Sequence, residues 1–300
     1  MTGLLGIDAG GTRTSAAAAD AAGVVLARAE AGPGVVRPGR AAAAAAAVFA
    51  AGRDALQRAR LRSPVRAMVV GAAGAAHPAE QSALAAALEG CGLASRLHVT
   101  TDAEIALAAA FGDGPGIVLL AGTGSIAWAR LEDGTTARTG GLGPVLGDRG
   151  SGYDVGREAL RTVGVDLEMG LSLDLTARLL AHIGVGADDL PRWTLTASVP
   201  EIAALAPIVL DVAATGDGVA RAITLQAARQ LATLAAAIAR RFPMDKPVRV
   251  AWGGGLLTGR TDYRGTVSES LREFIPGVRI EDAPVDAAAG AVWLAGRLAG

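Results

Sequence analysis

One pattern constrains this chain more than any other. An apolar strand, a glycine turn with hydroxyls, a second strand and a hairpin return occur twice. The first copy begins at residue 3. The apolar run Leu4-Leu5-Gly6-Ile7 leads into Asp8-Ala9-Gly10-Gly11-Thr12-Arg13-Thr14, and Ala16 to Ala19 runs back. The second copy begins at residue 117. Ile117-Val118-Leu119-Leu120 leads into Ala121-Gly122-Thr123-Gly124-Ser125, and Ile126 to Leu131 forms the next strand. Asp133-Gly134 then signals a hairpin, with Thr135 to Thr139 returning. The two copies share an order of elements and no extended identity. A chain of 300 residues exceeds the usual size of one core, so two domains on one plan are expected.

The remaining elements follow from periodicity and punctuation. In the first half, strands are expected over 3–9, 14–20, 23–30, Arg66 to Gly71 and Leu97 to Thr100. Helices are expected over 40–60, from Pro78 to Glu89, and from Asp102 to Ala110. Strands alternating with helices imply an α/β fold with helices on both faces of a sheet. Gly112-Asp113-Gly114-Pro115-Gly116 marks the boundary, giving domains over 1–112 and 113–285, with a last helix over 286–300 packing back on the first. In the second half, residues 140–152 are too glycine-rich for regular structure. Helices are expected over 153–163, 171–183, 198–213, 216–242 and 263–274, and strands over 248–252 and 278–281.

Composition narrows the function. Hydrophobic residues make up 51% and charged residues 19%, so a large core can form. The net charge is -1, which gives no basic excess for nucleic acid or an anionic membrane. The single cysteine, Cys91, excludes an internal disulfide and a cysteine-built cluster within one chain. The N-terminus lacks a signal pattern, and no unbroken apolar run approaches the ~18 residues of a membrane span. A cytoplasmic location is expected.

In α/β sheets ligands collect at the carboxyl ends of strands. Asp8, Gly71 to Gly74 and Asp102 stand at such ends. Gly10 to Thr12, Gly122 to Ser125 and Gly253 to Gly255 are three glycine turns, each after an apolar strand. Such turns expose backbone N–H groups to an anion, and the acid at a strand end can hold a hydrated cation. Each is also an ordinary turn if taken alone. Asp102 fits an N-cap as well as a catalytic acid, and Asp148 fits a turn as well as a ligand. His77, His98 and His182 lack ligand spacing.

Gly6 to Thr14, Thr101-Asp102-Ala103, Ala121 to Ser125, Gly140 to Gly143 and Gly147 to Gly152 resemble, in this order, the BadF/BadG/BcrA/BcrD ATPase family. Gly156 to Leu160, Gly216-Asp217, Gly253 to Gly255 and Pro284-Val285-Asp286 continue the match. The likeness is to the N-acetylglucosamine kinase branch of the sugar kinase–Hsp70–actin superfamily. It implies two duplicated actin-like (ribonuclease H-like) domains with an ATP cleft between them. It also implies an ATP- and Mg2+-dependent kinase for an amino sugar, with the 6-hydroxyl of N-acetylglucosamine or glucosamine as acceptor. Asp8 would hold magnesium through water. Gly10, Gly11, Thr12 and Arg13, with Gly122, Thr123, Gly124 and Ser125, would contact phosphates. Gly253, Gly254 and Gly255 would border the adenosine. Asp102 would be the general base. Gly74, Gly141, Gly143, Asp102 and Asp148 would surround the sugar. The expected partners are ATP and a small-molecule amino sugar, and a homodimer is the expected assembly.

Three positions depart from the family pattern. The loop after the third strand, Gly32-Pro33-Gly34-Val35, lacks the usual Asn. Leu142 stands where an aromatic is common, and Arg149 where an acid follows Asp148. A muramic-acid-type substrate is therefore an alternative. Two other classes compete: an ATP-driven activator, which would need two cysteines per subunit, and a sugar-responsive regulator, whose DNA-binding extension is not expected before residue 3.

Overall fold

The computed structural model describes residues 3–171 and 173–300. Residues 1 and 2 of the expected first domain, and residue 172 of the expected 171–183 helix, lie outside the described residues. The chain divides into two compact units, one ending at Gly114 and taking in Val285–Gly300, the other Pro115–Pro284.

The first unit contains β1 (Leu4–Ala9), β2 (Thr14–Ala19), β3 (Val25–Ala31), β4 (Ala67–Ala72) and β5 (Leu97–Thr101). They form one sheet in the order β3-β2-β1-β4-β5. β2 is antiparallel to β1 and β3, whereas β1, β4 and β5 are parallel. Alternation of side chains assigns two faces. Leu5, Ile7, Met68 and Val70 face the helices Ala41–Arg58 and Pro78–Leu88. Leu4, Ala67 and Val69 pack with Ile105 of the helix Asp102–Phe111 and with Ala288, Ala291, Val292 and Ala295 of the helix Ala287–Ala299.

Glycine permits the closeness of that second layer. A Cβ on Gly6 would lie 2.3 Å from the Val292 nitrogen, and one on Gly290 would lie 2.0 Å from the Ile105 carbonyl oxygen. The C-terminal helix therefore rests backbone-to-backbone on β1 and on the helix that follows β5. Asp8 shares its face of β1 with Gly6 by strand alternation, and pairs in register with Ser15 of β2 and Gly71 of β4.

The second unit repeats the plan. It contains β6 (Gly116–Ala121), β7 (Ser125–Arg130), β8 (Thr136–Gly140), β9 (Arg249–Gly253) and β10 (Arg279–Ile280). The order is β10-β9-β6-β7-β8. Read from the third strand of each copy, the two orders coincide, and so do the strand directions. The helix Gly218–Ala239 places Ile223, Ala227, Leu231 and Ile238 in this unit's core. Among the described residues it is the one helix long and apolar enough to cross a membrane.

Several expected elements change. The expected helix over 198–213 is two helices, Val199–Ala203 and Ala206–Ala214. Pro207 cannot donate to residue 203 and its ring would strike that carbonyl, so the helix restarts. The helix expected over 153–163 runs from Gly152 to Met169. The loop over 140–152 contains a one-turn helix, Gly143–Leu146, with Pro144 in its first turn. Leu190–Thr196 and Gly255–Gly259 are further short helices that periodicity did not reveal.

Candidate active site

In the first unit, Gly10 N–H closes the β1–β2 turn onto the Arg13 carbonyl at 2.9 Å. Gly11, Thr12 and Arg13 are exposed. Among the described residues, the N–H groups of Gly11 and Thr12 donate to no protein acceptor. Neighbouring loops brace this turn. Thr14 Oγ1, fully buried, donates to the Gly32 carbonyl at 2.9 Å, and Gly34 N–H donates to the Gly10 carbonyl at 3.0 Å. The loop over 32–36 is tied in turn to the end of β4, where Val36 N–H donates to the Ala73 carbonyl at 2.9 Å. Gly74 has φ +86°, and a Cβ there would lie 2.1 Å from the Val36 carbonyl oxygen. Only glycine fits that position.

Asp8 is partly buried and makes no side-chain hydrogen bond among the described residues. Burial first, then the Asp102 carboxylate and Asp286, push its pKa up to about 6, against the pull of Arg13. Asp286 is the N-cap of the helix Ala287–Ala299 and forms an ion pair with Arg28. Asp102 is also raised by burial. Its Oδ1 accepts the Ala103 N–H at 2.9 Å.

Asp102 is not the helix N-cap. Thr101 takes that role, its Oγ1 accepting the Glu104 N–H at 3.1 Å, and Asp102 is the first residue of the helix proper. Thr and Asp are both good caps, so composition could not separate adjacent candidates. The nearby Glu104 accepts a hydrogen bond from Thr100 Oγ1. Asp8 and Asp102 are thus two acids at the carboxyl end of one sheet, neither explained by capping or by an ion pair.

The second unit brings two of its glycine turns together. Gly122 N–H closes its turn on the Gly124 carbonyl at 2.9 Å. Among the described residues, Thr123 and Gly124 N–H donate to no protein acceptor. Gly254, at φ +88°, lies against β6: a Cβ there would be 2.4 Å from the Ala121 carbonyl oxygen. A Cβ on Gly122 would lie 3.6 Å from the Gly255 nitrogen. Gly253 is buried at the end of β9, whereas Gly254 and Gly255 are exposed.

Ser125 is built into the frame. It is buried, its Oγ donates to the Arg149 carbonyl at 2.7 Å, and its N–H donates to Asp148 Oδ1 at 3.2 Å. Asp148 is buried, and burial raises its pKa. Gly141 and Gly143 adopt φ +66° and +81° at the two sides of Leu142, which is exposed.

Sequence reasoning missed the residues that clamp this loop. Tyr263 is fully buried and its hydroxyl donates to the Gly150 carbonyl at 2.8 Å. Asp154 Oδ2 accepts the Gly150 N–H at 2.9 Å, and Asp154 pairs with Arg157. The signal for Asp154 was present: Ser151-Gly152-Tyr153-Asp154 has capping-box spacing, and Ser151 does accept the Asp154 N–H at 3.2 Å. A separate open cavity of about 550 Å3, lined in part by Leu210, Arg221, Leu225, Thr266 and Glu269, includes none of the sequence-derived candidates.

The model of the BadF/BadG/BcrA/BcrD ATPase family matches residues 5–295. The chain belongs to this family. An N-acetylmuramic acid/N-acetylglucosamine kinase of Clostridium acetobutylicum is 31% identical over 234 residues, covering 76% of each chain. A crystal structure of a candidate N-acetylglucosamine kinase from Chromobacterium violaceum is 28% identical, with a TM-score of 0.81 over 98% of this chain and 99% of that one. A glucokinase of the ROK family from Streptomyces griseus, solved with glucose and AMPPNP, has a TM-score of 0.59 at 19% identity over 98% of both chains. That last likeness is one of fold: this family member has the actin-like ATPase architecture found in sugar kinases.

Magnesium can be tested against the residues present. Among the described residues, no three His, Cys, Asp or Glu side chains gather as a metal cage. Asp8, unpartnered at a strand end, suits an ion that keeps its waters and is anchored by one carboxylate and by phosphates.

Proposed function

We propose that this chain phosphorylates the 6-hydroxyl of N-acetylglucosamine or glucosamine with ATP. It is an ATP-dependent sugar kinase. The observation that carries the assignment of chemistry is the position of Asp102. Thr101 holds the cap, and the Asp102 carboxylate stands at the carboxyl end of β5, where it is the strongest charge acting on Asp8. The names of the similar kinases support an amino sugar as acceptor.

A sugar hydroxyl is a weak nucleophile, and phosphoryl transfer depends on positioning, charge neutralisation and removal of one proton. Asp102 accepts that proton as the sugar oxygen bonds to the γ-phosphorus and the bond to ADP breaks. Its burial raises its basicity toward working pH, which favours this role. Gly11 and Thr12 of the first unit, and Thr123 and Gly124 of the second, offer the unpaired N–H groups for phosphate oxygens. Gly10 and Arg13 frame the first of these turns. Asp8 would hold a hydrated magnesium ion, which supplies charge neutralisation on the phosphates. Gly253, Gly254 and Gly255 border the adenosine, and Gly74, Gly141 and Gly143 shape the sugar's surroundings.

The test is an ADP-release screen of the purified protein with MgATP and a panel of sugars, followed by phosphorus NMR of the product. N-Acetylglucosamine or glucosamine is expected to stimulate release and yield a 6-phosphate. Stimulation by N-acetylmuramic acid alone would change the acceptor. No stimulation by any sugar would refute the kinase assignment.

A further inference from the structure

We infer that Arg260 is a positioning residue for the nucleotide: its guanidinium joins the two backbone segments that flank the base of bound ATP and sets the gap between them. The role rests on the proposed phosphate contact of the Gly122–Ser125 turn and on Gly253 to Gly255 as the border of the adenosine.

Gly122 adjoins two segments of the chain. A Cβ on it would lie 3.6 Å from the Gly255 nitrogen, where the short helix Gly255–Gly259 begins. Its carbonyl accepts the Gly152 N–H at 2.8 Å. A Cβ on Gly152 would in turn lie 3.2 Å from the Ala203 carbonyl oxygen, at the end of the helix Val199–Ala203. A nucleotide whose phosphates meet the Thr123 and Gly124 N–H groups therefore carries its base toward the space between Gly255–Gly259 and the residues that follow Ala203. Those residues open the helix Ala206–Ala214.

Arg260 ties these walls together. It closes Gly255–Gly259, its N–H donating to the Leu256 carbonyl at 3.1 Å. Its Nη1 donates to the Pro207 carbonyl at 3.1 Å and to Asp211 Oδ1 at 2.6 Å, both on the helix Ala206–Ala214. Its Nε and Nη2 donate to Asp262 Oδ1 and Oδ2 at 3.1 and 2.7 Å, in the first turn of the helix Thr261–Phe274. A guanidinium has five N–H donors, and these contacts use four of them. The side chain is only 19% exposed. Arg260 is thus occupied by protein and acts on the nucleotide through the walls it holds. The planar fork fixes direction as well as distance. Walls held in place before ATP arrives spare binding the cost of ordering them.

The experiment compares the wild type with Arg260→Ala and Asp211→Ala. MgATP affinity is measured by calorimetry, and kcat and KM for ATP by ADP release at saturating N-acetylglucosamine. We expect Arg260→Ala to weaken MgATP affinity and raise KM for ATP by about tenfold. Asp211→Ala keeps the fork on Asp262 and is expected to lose about threefold or more. In both, kcat at saturating ATP falls by less than about threefold, the pattern of lost uniform binding. A clip that served stability alone would lower the melting temperature and the active fraction and leave KM for ATP within about twofold of wild type; that result in Arg260→Ala would overturn the role. If Arg260→Ala does not fold, Asp211→Ala decides, because its side chain is exposed and wild-type affinity there would overturn the role as well. Absence of MgATP binding by the wild type would refute the nucleotide reading and the role with it. Binding by the wild type without turnover of any sugar would refute only the kinase assignment, and calorimetry of the variants would still decide the role of Arg260.

Discussion

The two units are copies of one scaffold with different chemistry. In each, the glycine after the first strand closes a turn through its N–H: Gly10 to Arg13 and Gly122 to Gly124. In each, that glycine's carbonyl accepts from a later glycine, Gly34 or Gly152. In each, the residue that opens the second strand is a buried hydroxyl bonded to a loop carbonyl, Thr14 to Gly32 and Ser125 to Arg149. The differences lie on the strands. Aligned by the pairing of Ala9 with Thr14 and Ala121 with Ser125, Asp8 corresponds to Leu120 and Gly6 to Val118. Among the described residues the scaffold thus supplies unpaired amides after the first strand of both copies, but a free carboxylate on that strand only in the first. In the second unit the nearby acid, Asp148, is spent on a backbone N–H. The geometry of the turn is common to both copies, and the unpartnered acid on the first strand belongs to the first copy alone.

The largest effect should come from making the first copy resemble the second at its acid. Asp8→Leu is expected to lower kcat/KM by a factor of about 100 to 1000, the range for loss of a major electrostatic contribution. Steady-state ADP release checks this, and a loss under threefold would show that the acid difference between the copies is immaterial.

Gly6→Ala comes next. Its methyl would collide with the backbone of the C-terminal helix at Val292 and Ala288, where no rotamer can move aside. A loss of roughly 2–3 kcal/mol is expected by urea denaturation. A small change there would mean that the helix shifts without cost.

Thr14→Val and Ser125→Ala test the shared brace. Each removes a buried hydroxyl and strands a carbonyl, at a cost of about 1–2 kcal/mol. The two values should agree, and a large disparity would show that the matching contacts are not equivalent.

An effect of similar size concerns pH. Asp8 has a folded pKa near 6 against an ordinary value of 3.8, so the folded state holds its proton more tightly than the unfolded chain. Stability of the metal-free protein therefore falls as pH rises from about 4 to 6, and Asp8→Asn removes about 1–2 kcal/mol of that fall after allowance for solvent screening. Thermal melts in chelator across this range measure it. A fall of equal size in Asp8→Asn would assign it elsewhere.

The fold was legible where local rules suffice. Continuous apolar runs before Gly10-Gly11 and Gly122-Thr123-Gly124 identified the opening strands of both copies, and the Asp133-Gly134 turn placed the hairpin between β7 and β8. What escaped depends on neighbours or on single breaks. Pro207 split a run that helix periodicity had joined, since periodicity counts apolar residues and not missing donors. The cap at Thr101 differed from Asp102 by one position, a distinction set by backbone angles rather than by residue type. The use of Asp148 depends on Ser125, 23 residues earlier, and of Gly150 on Tyr263, 113 residues later. No spacing rule connects such pairs. The family resemblance supplied roles for these residues, but the hydrogen bonds showed which acids are already occupied.

The role of Asp102 is tested most directly by one paired measurement of Asp102→Asn, in which MgATP affinity and sugar-stimulated ADP release are read from the same preparation. Affinity within about twofold of wild type, with turnover reduced by a factor of about 1000, is the predicted result. Near-normal turnover with N-acetylglucosamine would contradict the assignment of Asp102 as the base.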